Sequence, residues 1–263
     1  MKARHRPSAI PMVLAPALGL AVIWAVLPAR SFWCMDEANR FLQTHALTLD
    51  GAGMPPALPY PGSESLGDSA LAERLRPLPG QYGFIRNGRL FSQYSPIPAM
   101  IAAPFYALLG QKGIYVPALV CGAVLAVTLS GLLRSLGHPR RTSLLLAFFA
   151  VPVPFYSLTF FSHGMALLLI LAGVTLLRRN MTAAAFLAVA LAASLRIETV
   201  FALPLLLSTA ERKPSAGSLI VAAALSSALF LLLQKTLTGS WLGTHLASSG
   251  TQSGIYGAVE ASW

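Results

Sequence analysis

Two adjacent carboxylates, Asp36 and Glu37, follow the first long apolar segment of the chain. That segment, Ala9–Pro28, carries no charge and has about the twenty residues that a helix needs to cross the hydrocarbon core. Basic residues precede it, so the positive-inside preference directs the two carboxylates to the outer face. A carboxylate partly removed from water can accept a proton from a hydroxyl group. The position therefore suggests proton-transfer chemistry at the membrane surface, and an ordinary solvated loop is the alternative.

The composition indicates an integral membrane protein. Hydrophobic residues make up 55% of the chain and charged residues only 11%. The net charge of +10 does not indicate nucleic-acid binding, because Lys and Arg cluster in short turns between apolar runs. Cys34 and Cys121 lie far apart and form neither a disulfide framework nor a metal-binding set. We therefore expect membrane lipid, and no nucleic acid, around this chain.

Seven apolar runs are predicted to span the membrane, with the N-terminus inside and the C-terminus outside. They are Ala9–Pro28, Tyr115–Leu133, Ser143–Phe161, Gly164–Leu177, Thr182–Leu195, Ile197–Thr209 and Ala216–Gln234. The run Ser95–Gly110 is predicted to lie along the outer interface as a non-spanning helix. If it crossed the membrane, the basic turn Arg134–Arg141 would lie outside, against the positive-inside preference. The chain is thus predicted to be one membrane domain, 1–263, with an extracytoplasmic loop at 29–112 and an outer tail at 236–263.

The segment Thr182–Thr209 allows either one steeply tilted helix or two short ones. A single helix would place Arg196 and Glu198 near mid-membrane, where each charge costs about 2.5–3.5 kcal/mol. Two helices that meet at an outward-facing turn avoid this cost. We expect the broken arrangement, which brings both charged residues to the outer side.

Four short pieces of sequence, in this order, suggest a family. They are Met35-Asp36-Glu37-Ala38, Asn87–Pro98 with the following Pro104-Phe105-Tyr106, Ser162-His163, and Leu195-Arg196-Ile197-Glu198 followed by Leu203-Pro204. Together they resemble the polyprenyl-phosphate-dependent membrane glycosyltransferases of the GT-C fold, which are related to protein mannosyltransferases and aminoarabinose transferases. The resemblance covers nearly the whole chain in layout. It implies an all-α integral membrane protein of about seven transmembrane helices, with interfacial helices in the outer loop after the first span.

The resemblance also implies an activity and a location. A sugar carried on a polyprenyl phosphate would pass to an acceptor at the outer face of a bacterial inner membrane. Asp36 matches the acidic residue that the family uses near the acceptor, as general base or electrostatic stabiliser. Glu37 would be a helper or a metal-facing group, and a structural role at a helix start is the alternative. A divalent metal ion stays open as a cofactor.

The leaving polyprenyl phosphate is an anion, so cations and donors at the outer rim would stabilise it. Arg196 is the best candidate, and an ion pair with Glu198 is the alternative role. His163, Arg89 and Tyr94 are further candidates for holding phosphate. For His163, metal ligation or a capping role is the alternative, and for Arg89 it is a solvated loop.

Two departures from the family pattern bear on activity. Gln93 stands where the family has a lysine, and Pro96-Ile97-Pro98 replaces a Pro-Pro-Gly stretch. Relatives also continue for further spans after the point where this sequence ends. The predicted function is a glycosyltransferase-like module, with a partner subunit supplying missing elements as one option. A non-catalytic accessory subunit of a membrane complex is the alternative, and neither the sugar nor the acceptor is indicated.

Overall fold

The computed structural model describes residues 10–26, 35–49, 53–58, 83–86, 89–147 and 153–241. The described residues are mostly helical. Their helices are α1 (Ile10–Val26), α2 (Met35–Thr48), α3 (Ile97–Leu109), α4 (Val116–Ser135), α5 (Arg140–Leu145), α6 (Val153–Leu158), α7 (His163–Arg178), α8 (Thr182–Leu195), α9 (Leu203–Ser208) and α10 (Ala216–Thr238). Short 3-10 helices, Gly110–Tyr115 and Ile197–Ala202, precede α4 and α9.

The described residues are mostly helical, as expected, but the predicted loop also contains a short β-hairpin. Strands β1 (Gly83–Arg86) and β2 (Arg89–Ser92) pair antiparallel, and Phe91 also bridges to Ala57. The dipeptide Asn87-Gly88 lies between the strands in the sequence. Asn-Gly between two apolar-rich runs is a strong short-range signal for a two-residue hairpin turn. The sequence therefore contained the signal that the all-α prediction missed.

The described helices of the predicted loop pack against one another and against the ends of α1 and α4. Helix α2 packs against α3, and α3 folds back onto the 3-10 helix Gly110–Tyr115. Gly110 ends α3 with a positive φ of 62°, which glycine adopts without a side-chain penalty. The indole Nε1 of Trp24 donates to the carbonyl of Lys112 at 3.1 Å, and Lys112 Nζ donates to the carbonyl of Ala25 at 3.1 Å. These bonds attach the end of α1 to this group of helices.

The remaining helices form a bundle in which α8 packs against both α7 and α10. The buried face of α8 consists largely of alanine, and small side chains let helices approach closely. Helix α8 ends at Leu195, where Arg196 is extended with φ −151° and ψ 107°. The 3-10 helix Ile197–Ala202 and α9 follow. The segment is thus two helical pieces with a break at Arg196, as the cost of burying its charges predicted.

Two described helical stretches are long and apolar enough to cross a membrane, namely Ile97–Ser135 and Ala216–Thr238. By length and composition alone, they are weak evidence for a membrane protein. The helices at 163–178, 182–195 and 197–208 are apolar but shorter. The predicted span Ser143–Phe161 appears as the short helices α5 and α6, with residues 148–152 outside the described part. Seven spans and the orientation of the termini therefore stay predictions.

Candidate active site

Helix α2 carries the two carboxylates in its first turn, where acidic side chains complement the helix dipole. The resemblance implied interfacial helices in this region, and an ordinary solvated loop was the alternative. The helix buries an unusual number of polar side chains, namely Glu37, Asn39, Arg40, Gln43 and Thr44. Buried polar side chains persist only where hydrogen bonds offset the loss of water. Their partners define the candidate site.

Asp36 and Tyr94 meet across 58 residues of sequence. The phenol Oη of Tyr94 donates a short hydrogen bond to Asp36 Oδ1. Gln43 Nε2 donates to the backbone carbonyl of Tyr94 at 3.0 Å, which fixes the segment that carries the phenol. Burial raises the pKa of Tyr94 well above its usual range, and the bond to Asp36 raises it further. The phenol is therefore a donor at neutral pH, and it orients one oxygen of a half-buried carboxylate.

Glu37 and Arg40 together hold the peptide groups of Phe160. The backbone N–H of Phe160 donates to Glu37 Oε1 at 2.6 Å, and Arg40 Nη1 donates to the carbonyl of Phe160 at 3.0 Å. Arg40 Nη2 also donates to Ser162 Oγ at 3.1 Å. We call this arrangement of Glu37, Arg40 and Phe160 the peptide clamp. It joins α2 to the turn that leads into α7. Glu37 thus has a structural role in addition to the helix-start position that was the alternative expected from the sequence.

Arg40 was missed as a site residue at the sequence level. Its side chain is 2% exposed, and its guanidinium carbon lies 4.9 Å from the ring centroid of Tyr94 and 5.6 Å from that of Phe161. Cation–π contacts of this kind strengthen when they are removed from water. The available signal was helical spacing, since residues three and four positions after Glu37 and Asp36 share a helix face. A polar stripe on one face of a short helix was the clue.

His163, the first residue of α7, lies in an aromatic surrounding. Its ring stacks on Tyr156 with centroids 4.6 Å apart and meets the edge of Phe161 at 5.3 Å. Its Nδ1 lies 3.5 Å from Arg196 Nη1. Asp36 also lies within electrostatic range of the imidazole. His163 is thus the point at which the α2 side and the α8 side of the candidate site come together.

Arg196 is engaged in an ion pair, the alternative role considered for it from the sequence. Its guanidinium makes a short salt bridge to Glu198, whose side chain is 50% exposed, while the Arg196 side chain is 25% exposed. An ion pair with one solvent-exposed partner is worth about 0–1 kcal/mol and can open for another anion. The pair and the contact with His163 place Arg196 at the rim of the site.

The other sequence-level candidates are less informative. Arg89 begins β2 opposite Arg86 in the strand register, and the structure describes its backbone only. Among the described residues, no three His, Cys, Asp or Glu side chains group as a metal site. Asp36, Tyr94, His163 and Arg196 are therefore the candidates that the fold gathers, with Glu37 and Arg40 supporting them.

Comparison of the chain with protein-family models, curated proteins and solved structures finds no match. The case for a function therefore depends on the geometry of the site and on the resemblance of its motifs.

Proposed function

We propose that the chain is a membrane glycosyltransferase module that transfers a sugar from a polyprenyl phosphate to an acceptor hydroxyl. The observation that carries the proposal is a chain of contacts between the two sides of the site. His163 lies 3.5 Å from Arg196 Nη1 and packs on Phe161. Arg40 contacts the ring of Phe161 and the ring of Tyr94, whose phenol donates to Asp36. A base and an anion-binding group must lie on two sides of one reacting centre for this reaction. The contacts that link Asp36, His163 and Arg196 support such an arrangement.

In the proposed reaction, the acceptor oxygen attacks the anomeric carbon while the bond from that carbon to the phosphate oxygen breaks. The acceptor proton passes to the carboxylate of Asp36. Among the described residues, Tyr94 bonds Oδ1 of Asp36 and no hydrogen bond reaches Oδ2. Oδ2 is the oxygen that would take the proton, with Tyr94 holding the carboxylate in place.

The leaving polyprenyl phosphate departs with the bonding electron pair and gains negative charge. Arg196 lies at the rim on a polar break between apolar helices, where a lipid-linked phosphate would arrive. Its exposed partner Glu198 would release it to the leaving phosphate, because the phosphate monoester formed on transfer carries more negative charge than a carboxylate. The imidazole of His163 would donate or accept a hydrogen bond between the two groups.

The test is transfer by the purified protein in lipid nanodiscs, with a panel of polyprenyl-phosphate sugars. We expect Asp36→Asn to abolish sugar transfer and the release of polyprenyl phosphate while the protein stays folded, with a melting midpoint lowered by roughly 2–4 °C at most. Asp68→Asn, the same chemical change elsewhere in the predicted outer loop, is the matched control. Unchanged turnover in Asp36→Asn would remove Asp36 from the mechanism. Donor binding without turnover in the unmodified protein would favour the non-catalytic accessory module.

A further inference from the structure

A second site lies at the far end of the helices that begin near the candidate active site. A cavity of about 370 Å³ opens between α4 and α7, close to their C-terminal ends. The cavity wall on α7 begins at Leu171 and continues to Arg178, which lie roughly 12 and 22 Å along the helix from His163 at 1.5 Å per residue. The volume falls within the range of about 300–1,000 Å³ typical of small-ligand sites. The cavity is thus a separate feature from the site around Asp36.

One part of the cavity wall is apolar. Leu132 of α4 faces Leu171 and Val174 of α7 across it. On α7, these positions belong to one helical face that continues to Thr175 and Arg178, with spacings of three, four and seven from Leu171. The wall therefore changes along the helix from aliphatic to hydroxyl to cationic. A wall that is aliphatic at one end and cationic at the other is complementary to a molecule with an apolar chain and a negatively charged head.

The charged end of the cavity carries two guanidinium groups and one carboxylate. Arg178 is paired with Glu211 at 3.2 Å, with both side chains largely in water. The guanidinium of Arg179 makes no hydrogen bond or ion pair with the described residues. Two cations against one anion leave one positive charge in excess. A ligand that carries a single negative charge would complete this end of the cavity.

The hydroxyl groups in the wall are already used. Thr128, Ser135 and Thr175 each donate to a carbonyl of their own helix, at distances of 2.8, 2.6 and 2.9 Å. They can accept hydrogen bonds but have no proton to offer a phosphate. Recognition of an anion at this place therefore falls to the arginines, and to Arg179 first.

We propose that this cavity binds the phosphate headgroup of an anionic phospholipid, with an acyl chain lying along the apolar wall. A phosphodiester supplies the single negative charge, and guanidinium groups bind phosphate oxygens in a bidentate geometry. The apolar wall favours a lipid over a small soluble phosphate, which would leave Leu132, Leu171 and Val174 facing a polar ligand. The site would hold a structural lipid on the membrane face opposite the proposed transfer reaction.

The test measures lipid binding to the purified full chain by native mass spectrometry, with titrations of phosphatidylglycerol and phosphatidylcholine. We expect one phosphatidylglycerol to be retained preferentially, and Arg179→Gln to weaken its binding about fivefold. Arg141→Gln is the charge-matched control, since Arg141 lies at the same end of the bundle, outside the cavity wall, and should change nothing. Glu211→Gln should strengthen binding, because it removes the competing carboxylate.

A variant without a charge change separates the cavity from the general surface charge. Val174→Phe fills part of the apolar wall and should weaken retention while leaving the net charge unchanged. Equal effects of Arg179→Gln and Arg141→Gln would overturn the proposal, because they would show attraction to basic residues in general. Competition by glycerol phosphate as effective as that by phosphatidylglycerol would also overturn it, since the occupant would then be a soluble phosphate. Neither outcome depends on whether the chain transfers sugar.

Discussion

Substitutions of Glu37 distinguish a structural role from a chemical role for this member of the acidic pair. Its side chain is fully buried, and its Oε1 accepts the backbone N–H of Phe160 at 2.6 Å. Replacement by alanine leaves that N–H without its acceptor inside the protein, at a cost of about 1–3 kcal/mol. Loss of the packed methylene group adds about 1 kcal/mol. We therefore expect Glu37→Ala to lower the free energy of unfolding by about 3 kcal/mol.

Glu37→Gln provides the informative comparison, because glutamine keeps the size and one carbonyl oxygen for the Phe160 N–H. It loses the charge on the acceptor and exchanges the second carboxylate oxygen for an amide group, so we expect a smaller cost of about 1 kcal/mol. For a chain of this length, 1 kcal/mol corresponds to roughly 2–4 °C in the melting midpoint. The alanine variant should therefore melt roughly 6–12 °C lower, and the glutamine variant roughly 2–4 °C lower. Sugar transfer by the glutamine variant, measured well below its midpoint, should persist.

The assay is a thermal series of detergent-solubilised protein followed by the monodisperse peak in fluorescence-detected size-exclusion chromatography. Glu198→Ala is the control for loss of a carboxylate, since its half-exposed ion pair should contribute less than about 1 kcal/mol. A Glu37→Gln variant that melts like the unmodified protein but transfers no sugar would refute the reasoning. Glu37 would then act on substrate or on a metal ion, as the resemblance suggested.

Three further predictions follow from particular contacts. Folding raises the pKa of Tyr94, so the stability that the neutral phenol provides is complete below about pH 10 and is lost progressively above it. The melting midpoint of Tyr94→Phe should therefore approach that of the unmodified protein as the pH rises from about 8 to about 11. In Gly113→Ala the new Cβ would lie 2.0 Å from the carbonyl oxygen of Phe105, so the melting midpoint should fall sharply. The control Gly131→Ala adds its Cβ in open space on α4, so the free energy of unfolding should rise by about 0.5–1 kcal/mol. Arg196→Ala should weaken binding of a polyprenyl-phosphate sugar about tenfold in a titration, and an unaltered affinity would leave Arg196 with only its ion pair to Glu198.

Helix positions were largely predictable, because apolar runs and basic turns carry the signal directly. The predicted run Thr182–Leu195 coincides with α8, and the break at Arg196 follows from the cost of burying charge. The run Ser95–Gly110 likewise corresponds to α3. The β-hairpin was not predicted, although Asn87-Gly88 is a strong hairpin signal. Several apolar helices have fewer residues than a membrane-spanning helix needs, so the number of helices does not give the number of membrane crossings.

The contacts of the site were only partly predictable. Residue type and position were enough to select four candidates: Asp36, Tyr94, His163 and Arg196. Their proximity, however, depends on the tertiary packing of α2. The polar stripe on α2 was visible in the sequence, but the partner of the peptide clamp was not, since it is the backbone of Phe160 and every residue except proline has both groups. Hydrogen bonds from side chains to a distant backbone are invisible to any pattern of residue types.

Arg40 shows how the peptide clamp bears on the proposed transfer reaction. A guanidinium taken out of water is costly, and here two hydrogen bonds and two aromatic faces offset the cost. All of these contacts lie between α2, the segment carrying Tyr94 and the turn before α7. Their geometry therefore fixes the separation between the carboxylate of Asp36 and the imidazole of His163. In the proposed reaction, a base and a phosphate-binding edge would have to keep that separation to act on one sugar, and a rigid buried charge at the joint maintains it better than a flexible loop would.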